Sequence, residues 1–419
     1  MRSARGSAAL VVAGVVLALA FMPAGPDAAA RRSRPSAAAG PSAGASAGTD
    51  GDGTVSVLGD GSTADAGPQP LQPPVEKLRP GQRPPQFVVF SFDGAREGSD
   101  QLFSRARTAA KASGAEVTFF PRGIDLLQAA NRTVYQPPQH PAGAAAIPFP
   151  TDSQIQATLQ QLGRAWQDGD EIGTDFNGQF CGAKGARDWS TEDWKSEISQ
   201  VDSFVNFWKT GSSFTDLAPL PFDYQSELVG GRAPCLEGQQ NLIPAEKDAG
   251  WRYDASSAGD SQRWPAQLDG IWNFPLQRVP YPGLPDGVLS GDSSLLAVQS
   301  GAVRQSGAVR SGVGPAADPA QYARWEQQAR DAYLAGFDRV RSGSRAPLFI
   351  GTHLEKLNGG IYLQAAEDVM KTVCHQDGVR CVSFRQLADW LDAQDPQLLA
   401  RLRTLDPAAK APDWSTFAK

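Results

Sequence analysis

The run Phe87-Val88-Val89-Phe90-Ser91-Phe92, followed at once by Asp93-Gly94-Ala95, governs everything built around it. A short, almost wholly apolar run closed by an acid reads as a strand buried on both faces, as strands of a helix-covered parallel sheet are. Outward from it, short apolar runs alternate with helical periodicity. Residues 99–113 read as a helix, 115–120 as a strand, 151–166 as a helix and 171–176 as a strand. Ser190 with Asp193 three residues on resembles a capping pair and opens a helix to about residue 209. Strands are expected at 228–234, 251–256 and 271–279, then a helix at 319–340, a strand at 347–352, a helix at 361–373, a strand at 380–384 and a helix at 385–393. Residues 211–223 and 280–317 read as long loops.

Strands alternating with helices indicate an α/β domain with a mainly parallel sheet. Several expected strands end in or near a polar residue: Asp93, Asp175, Arg232, Asp254 and His353. Such ends converge on one mouth if the sheet closes into an α/β barrel. An open doubly wound sheet places its ligand at one switch point, usually behind a glycine-rich turn, and Asp93-Gly94-Ala95 is not one. Closure into a single barrel domain is therefore the expectation.

The flanks have a different texture. Arg2 and Arg5 precede an apolar run over 8–22, and Ala28-Ala29-Ala30 offers a cleavage site, so residues 1–30 read as an export signal. The run is short for a membrane span, which needs roughly 20 apolar residues; a retained anchor is the alternative. No Cys follows it, so a lipoprotein anchor is not supported. Residues 31–85 are mostly Ala, Gly, Ser, Pro and Asp, with no aromatic between Phe21 and Phe87, and read as a disordered linker. The folded domain is expected over 86–395, with 396–419 as a C-terminal tail. The expected location is secreted or in the cell envelope.

Four cysteines in an exported chain suggest two disulfides, with three possible connectivities and unpaired thiols as the alternative. Cys374–Cys381 is favoured because His375-Gln376-Asp377-Gly378 between them looks like a turn, which leaves Cys181 with Cys235. The net charge of −6 gives no electrostatic footprint for nucleic acid. With His140, His353 and His375 as the only imidazoles, a His-rich metal site is nearly excluded.

Four stretches line up with one family. Ser91-Phe92-Asp93-Gly94, Gly169-Asp170-Glu171-Ile172-Gly173-Thr174, Arg232-Ala233-Pro234 and Gly351-Thr352-His353 resemble, in order, motifs of the polysaccharide deacetylases, the NodB-homology or carbohydrate esterase 4 group. Gly173-Thr174-Asp175-Phe176-Asn177-Gly178-Gln179-Phe180-Cys181 looks like an actinobacterial exported branch of it. The resemblance covers roughly 86–393. It implies a distorted (β/α) barrel and metal-assisted removal of acetyl groups from an N-acetylated sugar polymer of the envelope or chitin type.

Amide hydrolysis of that kind needs an activated water, a Lewis acid on the carbonyl oxygen, a base and an acid. By the resemblance Asp93 is the base, Arg232 orients it, and His353 is the acid. Pro234 and Asn177 are substrate contacts. Gly94 stands where the family's metal-binding Asp would be. Asp175 and Gln179 hold the spacing of the family's two metal-binding histidines, and neither is His. Zinc prefers His and carboxylate ligands, whereas an Asp and Gln oxygen set is harder and weaker, nearer to what Mg²⁺, Ca²⁺ or Mn²⁺ accepts. Zinc-dependent turnover is accordingly expected to be lost or much reduced.

Plainer readings stand beside these. Asp93 could cap the next helix, Arg232 could be a structural ion-pair partner, and His353 could be a satisfied buried histidine. Asp175 and Gln179 could be solvated or hydrogen-bonded. Trp189, Trp194, Trp208, Trp251, Trp264 and Trp272 are core by default, with one or two near the mouth able to stack on sugar rings. Two functions follow: a deacetylase-like hydrolase weakened by its degraded metal motif, or an inactive relative that binds envelope polysaccharide or a protein partner.

Overall fold

The computed structural model describes residues 55–301, 303–305, 308–310 and 318–417, all within the compact unit Gly53–Lys419. The expected export signal and residues 31–54 of the expected linker lie outside the described residues. In chain order the strands are β1 (Ser56–Leu58), β2 (Thr63–Asp65), β3 (Gln86–Asp93), β4 (Thr118–Phe120) and β5 (Glu171–Ile172). Then come β6 (Gly230–Gly231), β7 (Tyr253–Asp254), β8 (Ala266–Leu268), β9 (Ile271–Asn273), β10 (Arg278–Tyr281) and β11 (Leu284–Leu289). The last four are β12 (Val303–Gln305), β13 (Ala308–Arg310), β14 (Leu348–His353) and β15 (Val379–Cys381).

β3 is the axis of the molecule and is buried along its whole length, as its apolar run requires. Parity divides its side chains between two cores. Val88, Phe90 and Phe92 pack with Phe103, Ala106 and the other covering helices, while Phe87 and Val89 join Phe120, Tyr253, Phe349 and Phe384. Ser91 and Asp93 share the parity of Phe87 and Val89, so Asp93 ends the strand on the side of that second core. β14 lies parallel on one flank of β3, β4 and then β5 continue parallel from the other, and β15 pairs with the first residues of β3. A second sheet runs β6-β7-β9-β8, parallel except for β8.

Closure into a barrel was expected, and among the described residues no sheet closes on itself. Five- and four-stranded sheets stand separately, meeting at the isolated bridge Thr174↔Gly231, while Gly291↔Gly351 joins β14 to the chain just past β11. The strands of the second sheet are too short for continuous ladders. The expected strands 171–176, 228–234 and 251–256 shrink to two residues each, and 271–279 splits into β9 and the start of β10. At β6 the approach to β7 is close enough to require glycine, because a Cβ on Gly230 would lie 2.5 Å from the Tyr253 ring.

Helices fall close to where periodicity put them: Leu102–Ala112, Asp152–Gln167, Thr191–Asn206, Pro319–Arg341, Ile361–Val373 and Phe384–Ala393. The Ser190 cap forms, its hydroxyl accepting from Asp193 N at 3.2 Å. The stretch 280–317, read as a loop, instead carries the antiparallel β10–β11 and β12–β13 hairpins and the helix Asp292–Ser300. The linker reading fails over 55–85, where β1 and β2 form a hairpin whose Ser62, Thr63 and Ala64 are buried. The tail is folded too, through the helices Pro396–Arg403 and Trp414–Phe417. Both expected disulfides, Cys181–Cys235 and Cys374–Cys381, are formed. Among the described residues no helix is long and apolar enough to cross a membrane.

Candidate active site

The register of the parallel strands assembles the site. His353 ends β14 directly opposite Asp93, which ends β3, so two distant residues stand side by side at one edge of the sheet. Arg232 arrives from the second sheet, one residue beyond β6, its backbone N bonded to Thr174 O at 2.9 Å. Its Nη1 donates to Asp93 Oδ1 at 2.8 Å and to Ser91 Oγ at 2.9 Å, and its Nε to Ala255 O at 3.2 Å. The guanidinium also lies over the Phe120 ring, 5.1 Å from its centroid. Arg232 and Asp93 are both buried, so this is a charge-assisted bond out of water, stronger than a surface ion pair.

His353 Nε2 is 3.9 Å from Asp93 Oδ2, too far for a direct hydrogen bond. The other ring nitrogen, Nδ1, lies 2.7 Å from Asp292 Oδ1, and the His353 backbone N donates to Asp292 Oδ2 at 2.6 Å. Asp292 is the first residue of the helix Asp292–Ser300, where the helix dipole favours a carboxylate. Asp93, His353, Asp292, Arg232 and Pro234 line one cleft of about 320 Å³, joined by Asp175 and Gln179.

Asp175 and Gln179 reach the cleft through a tight turn, without any helix. Phe176 and Gln179 have φ of 54° and 60°, and Gly178 is too close to Tyr135 for a side chain, its would-be Cβ 2.6 Å from the hydroxyl. The Gln179 side-chain amide donates to the backbone O of Asp175 at 2.6 Å. Asp175 Oδ2 accepts from Arg122 Nε at 2.8 Å, and both side chains are about 5% exposed or less. Burial works against the charge on Arg122, but Asp175, Asp125 and Glu355 around it outweigh that and raise its pKa.

The divalent metal that the motif resemblance implies does not fit these residues. The carboxylate that would be a ligand carries a guanidinium, and the second position presents an amide already engaged with the backbone. Among the described residues no three His, Cys, Asp or Glu side chains are grouped to hold an ion.

Asn177 is not a cleft residue. It is fully buried behind the turn, its amide donating to Glu197 O and Glu197 Oε2, each at 3.0 Å. Asp254 also faces away, its carboxylate accepting from Gln239 and from Ser256 N. The six tryptophans Trp189, Trp194, Trp208, Trp251, Trp264 and Trp272 are core, none more than 5% exposed, and none of them lines the cleft. Two site residues escape the sequence reading. Arg122 lies two positions past β4, so the rule that found Asp93 would have found it had the strand been followed past Pro121. Asp292 sits in the stretch read as a loop, where an acid ahead of Leu295 and Leu296 was the available helix-start signal.

No protein-family model matches the chain, and no curated protein is significantly similar to it. Among solved structures, a protein from Mycobacterium smegmatis assigned as a polysaccharide deacetylase is 15% identical with a TM-score of 0.44, covering 76% of this chain and 96% of that one. The chitin deacetylase of Colletotrichum lindemuthianum is 11% identical with a TM-score of 0.36, over 76% and 95% of the two chains. A family 4 carbohydrate esterase pseudoenzyme from Bacillus anthracis is 8% identical with a TM-score of 0.36, over 76% and 70%. These values assign no family, so the chemistry has to be argued from the cleft itself.

Proposed function

We propose that the chain is an exported or envelope-associated hydrolase that releases acetate from an N-acetylated sugar polymer, its folded part a distorted (β/α) barrel. The observation that carries this reading is the pair Asp93 and His353. They face one cleft from adjacent strand ends, each held by its own charged partner, Arg232 and Asp292. Arg232 occupies Oδ1 of Asp93 and leaves Oδ2 turned towards His353. Asp93 then takes the proton of an attacking water as the amide carbonyl is converted to a tetrahedral centre. His353, fixed through Nδ1, delivers a proton from Nε2 to the departing amine nitrogen. Pro234 on the cleft wall contacts the sugar chain.

A second reading, saccharide binding without turnover, is favoured by the Arg122–Asp175 pair, which occupies a ligand position with a protein cation. Acetate release from chitooligosaccharides and from peptidoglycan separates the two. The parent is expected to release acetate, and His353→Ala to do so about 10²–10⁴-fold more slowly. Absence of acetate, with calorimetric binding of the same oligosaccharides, would leave the second reading.

A further inference from the structure

We infer that the Arg122 guanidinium is a built-in cation that occupies the place a divalent metal would need in this cleft, so that the chain excludes the metal and works without it. Three independent features carry the inference.

The first is charge. Asp175 is buried, and its Oδ2 is bonded to Arg122 Nε at 2.8 Å, so the carboxylate already has a positive partner inside the protein. A divalent ion on the same oxygen would sit beside a guanidinium that cannot lose its proton, and the two cations repel.

The second is space. A Cβ placed on Gly94 would lie 2.5 Å from Arg122 Nη2, 2.8 Å from Cζ and 2.9 Å from Nη1. Any side chain at 94, including a carboxylate that could complete a ligand set with Asp175, therefore requires the guanidinium to move from the place where it bonds Asp175. Gly94 also has φ of +66°, a conformation that L side chains rarely adopt. The bare glycine and the arginine are two halves of one arrangement.

The third is anchoring. Arg122 follows β4 closely, its backbone N donates to Asp125 Oδ2 at 3.4 Å, and Asp125 is bridged to Arg96 at 3.3 Å. Together with the bond to Asp175, this fixes the guanidinium directly behind Asp175, which lines the cleft. Arg122 is thus a positioning residue for Asp175, and Asp175 in turn accepts the Gln179 amide on its backbone oxygen.

Replacing Asp175 and Gln179 by histidine is then insufficient to create a zinc site while Arg122 remains. The full chain, the Asp175→His/Gln179→His variant and the Arg122→Ser/Asp175→His/Gln179→His variant are dialysed against zinc chloride, and bound zinc is counted by elemental analysis. Folding is checked by circular dichroism. The parent and the double variant are expected to retain no stoichiometric zinc, and the triple variant to retain one ion per chain. One tightly held zinc in the parent or in the double variant overturns the inference, as does a folded triple variant that takes none.

If the triple variant does not fold, Arg122→Met supplies the answer. Its melting temperature is expected to rise with added Mn²⁺ or Zn²⁺ while the parent's does not, and an equal response of both overturns the inference. Because the readout is bound metal, it stands or falls separately from acetate release.

Discussion

His353 is held from two directions by one carboxylate, which takes both its backbone N and its Nδ1. A ring fixed in this way presents Nε2 to the cleft in one orientation. Asp292→Asn keeps the shape and removes the charge. Acetate release is expected to fall at least tenfold, as when a histidine loses its orienting carboxylate. An unchanged rate would mean that Asp292 merely packs the helix end. At this scale three residues were legible in the sequence, because Asp93, Arg232 and His353 each terminate or closely follow an apolar run. Arg122 and Asp292 were not. Local signals mark their positions, but each bonds a partner far away in the chain, Asp175 and His353, and those signals do not encode the pairing.

Between residue and fold stands the turn from Asp175 to Cys181, whose Asp175 and Gln179 hold a helical-turn spacing in the sequence and which three fastenings shape differently. Gly178 N donates to the Tyr135 hydroxyl at 3.0 Å, that hydroxyl donates to Glu197 Oε1 at 2.8 Å, and Asn177 donates to Glu197 Oε2. The Cys181–Cys235 disulfide ties the end of the turn to the loop that follows Arg232. Burial pushes the Glu197 carboxyl up to about 7, against the bonds from Asn177 and Tyr135 that pull it down. Folded Glu197 thus keeps a proton that an exposed glutamate, near 4.5, has lost. Its stabilising contribution is complete below about pH 4.5 and is lost as pH rises through about 7, an effect of at most roughly 3 kcal/mol. Glu197→Gln is neutral throughout and should flatten that part of the slope. Urea midpoints of both proteins at pH 5 and pH 8 test this, since other buried acids act equally in each. Coincident slopes would place the proton elsewhere.

Taken whole, the molecule is larger than its aromatic-rich middle. The boundaries 86–395 came from composition, and composition is blind to a segment that packs through backbone bonds and small residues. Residues 55–85 do that: Trp208 Nε1 donates to Ser62 O at 2.6 Å, and Gln69 Nε2 donates to Asp170 O at 2.7 Å. The two ends of the fold then clasp each other, Leu78 N donating to Gln394 Oε1 at 2.8 Å and Gln394 Nε2 to Glu76 O at 3.0 Å. Beyond Gln394, Leu398, Leu399 and Leu402 are buried in the same core as Phe87 and Trp390, beneath the strand that carries Asp93. Each buried leucine contributes about 1.5–3 kcal/mol. Removing three takes away on the order of 5 kcal/mol, comparable with the whole net stability of an ordinary domain. A chain cut to 86–395 is therefore expected to be insoluble or to unfold at a far lower urea concentration than 53–419, and to lose its cleft although no cleft residue is missing. If the shorter chain melts within a few degrees of the longer one, the ends are appendages, and the core around β3 supports Asp93, Arg232 and His353 unaided.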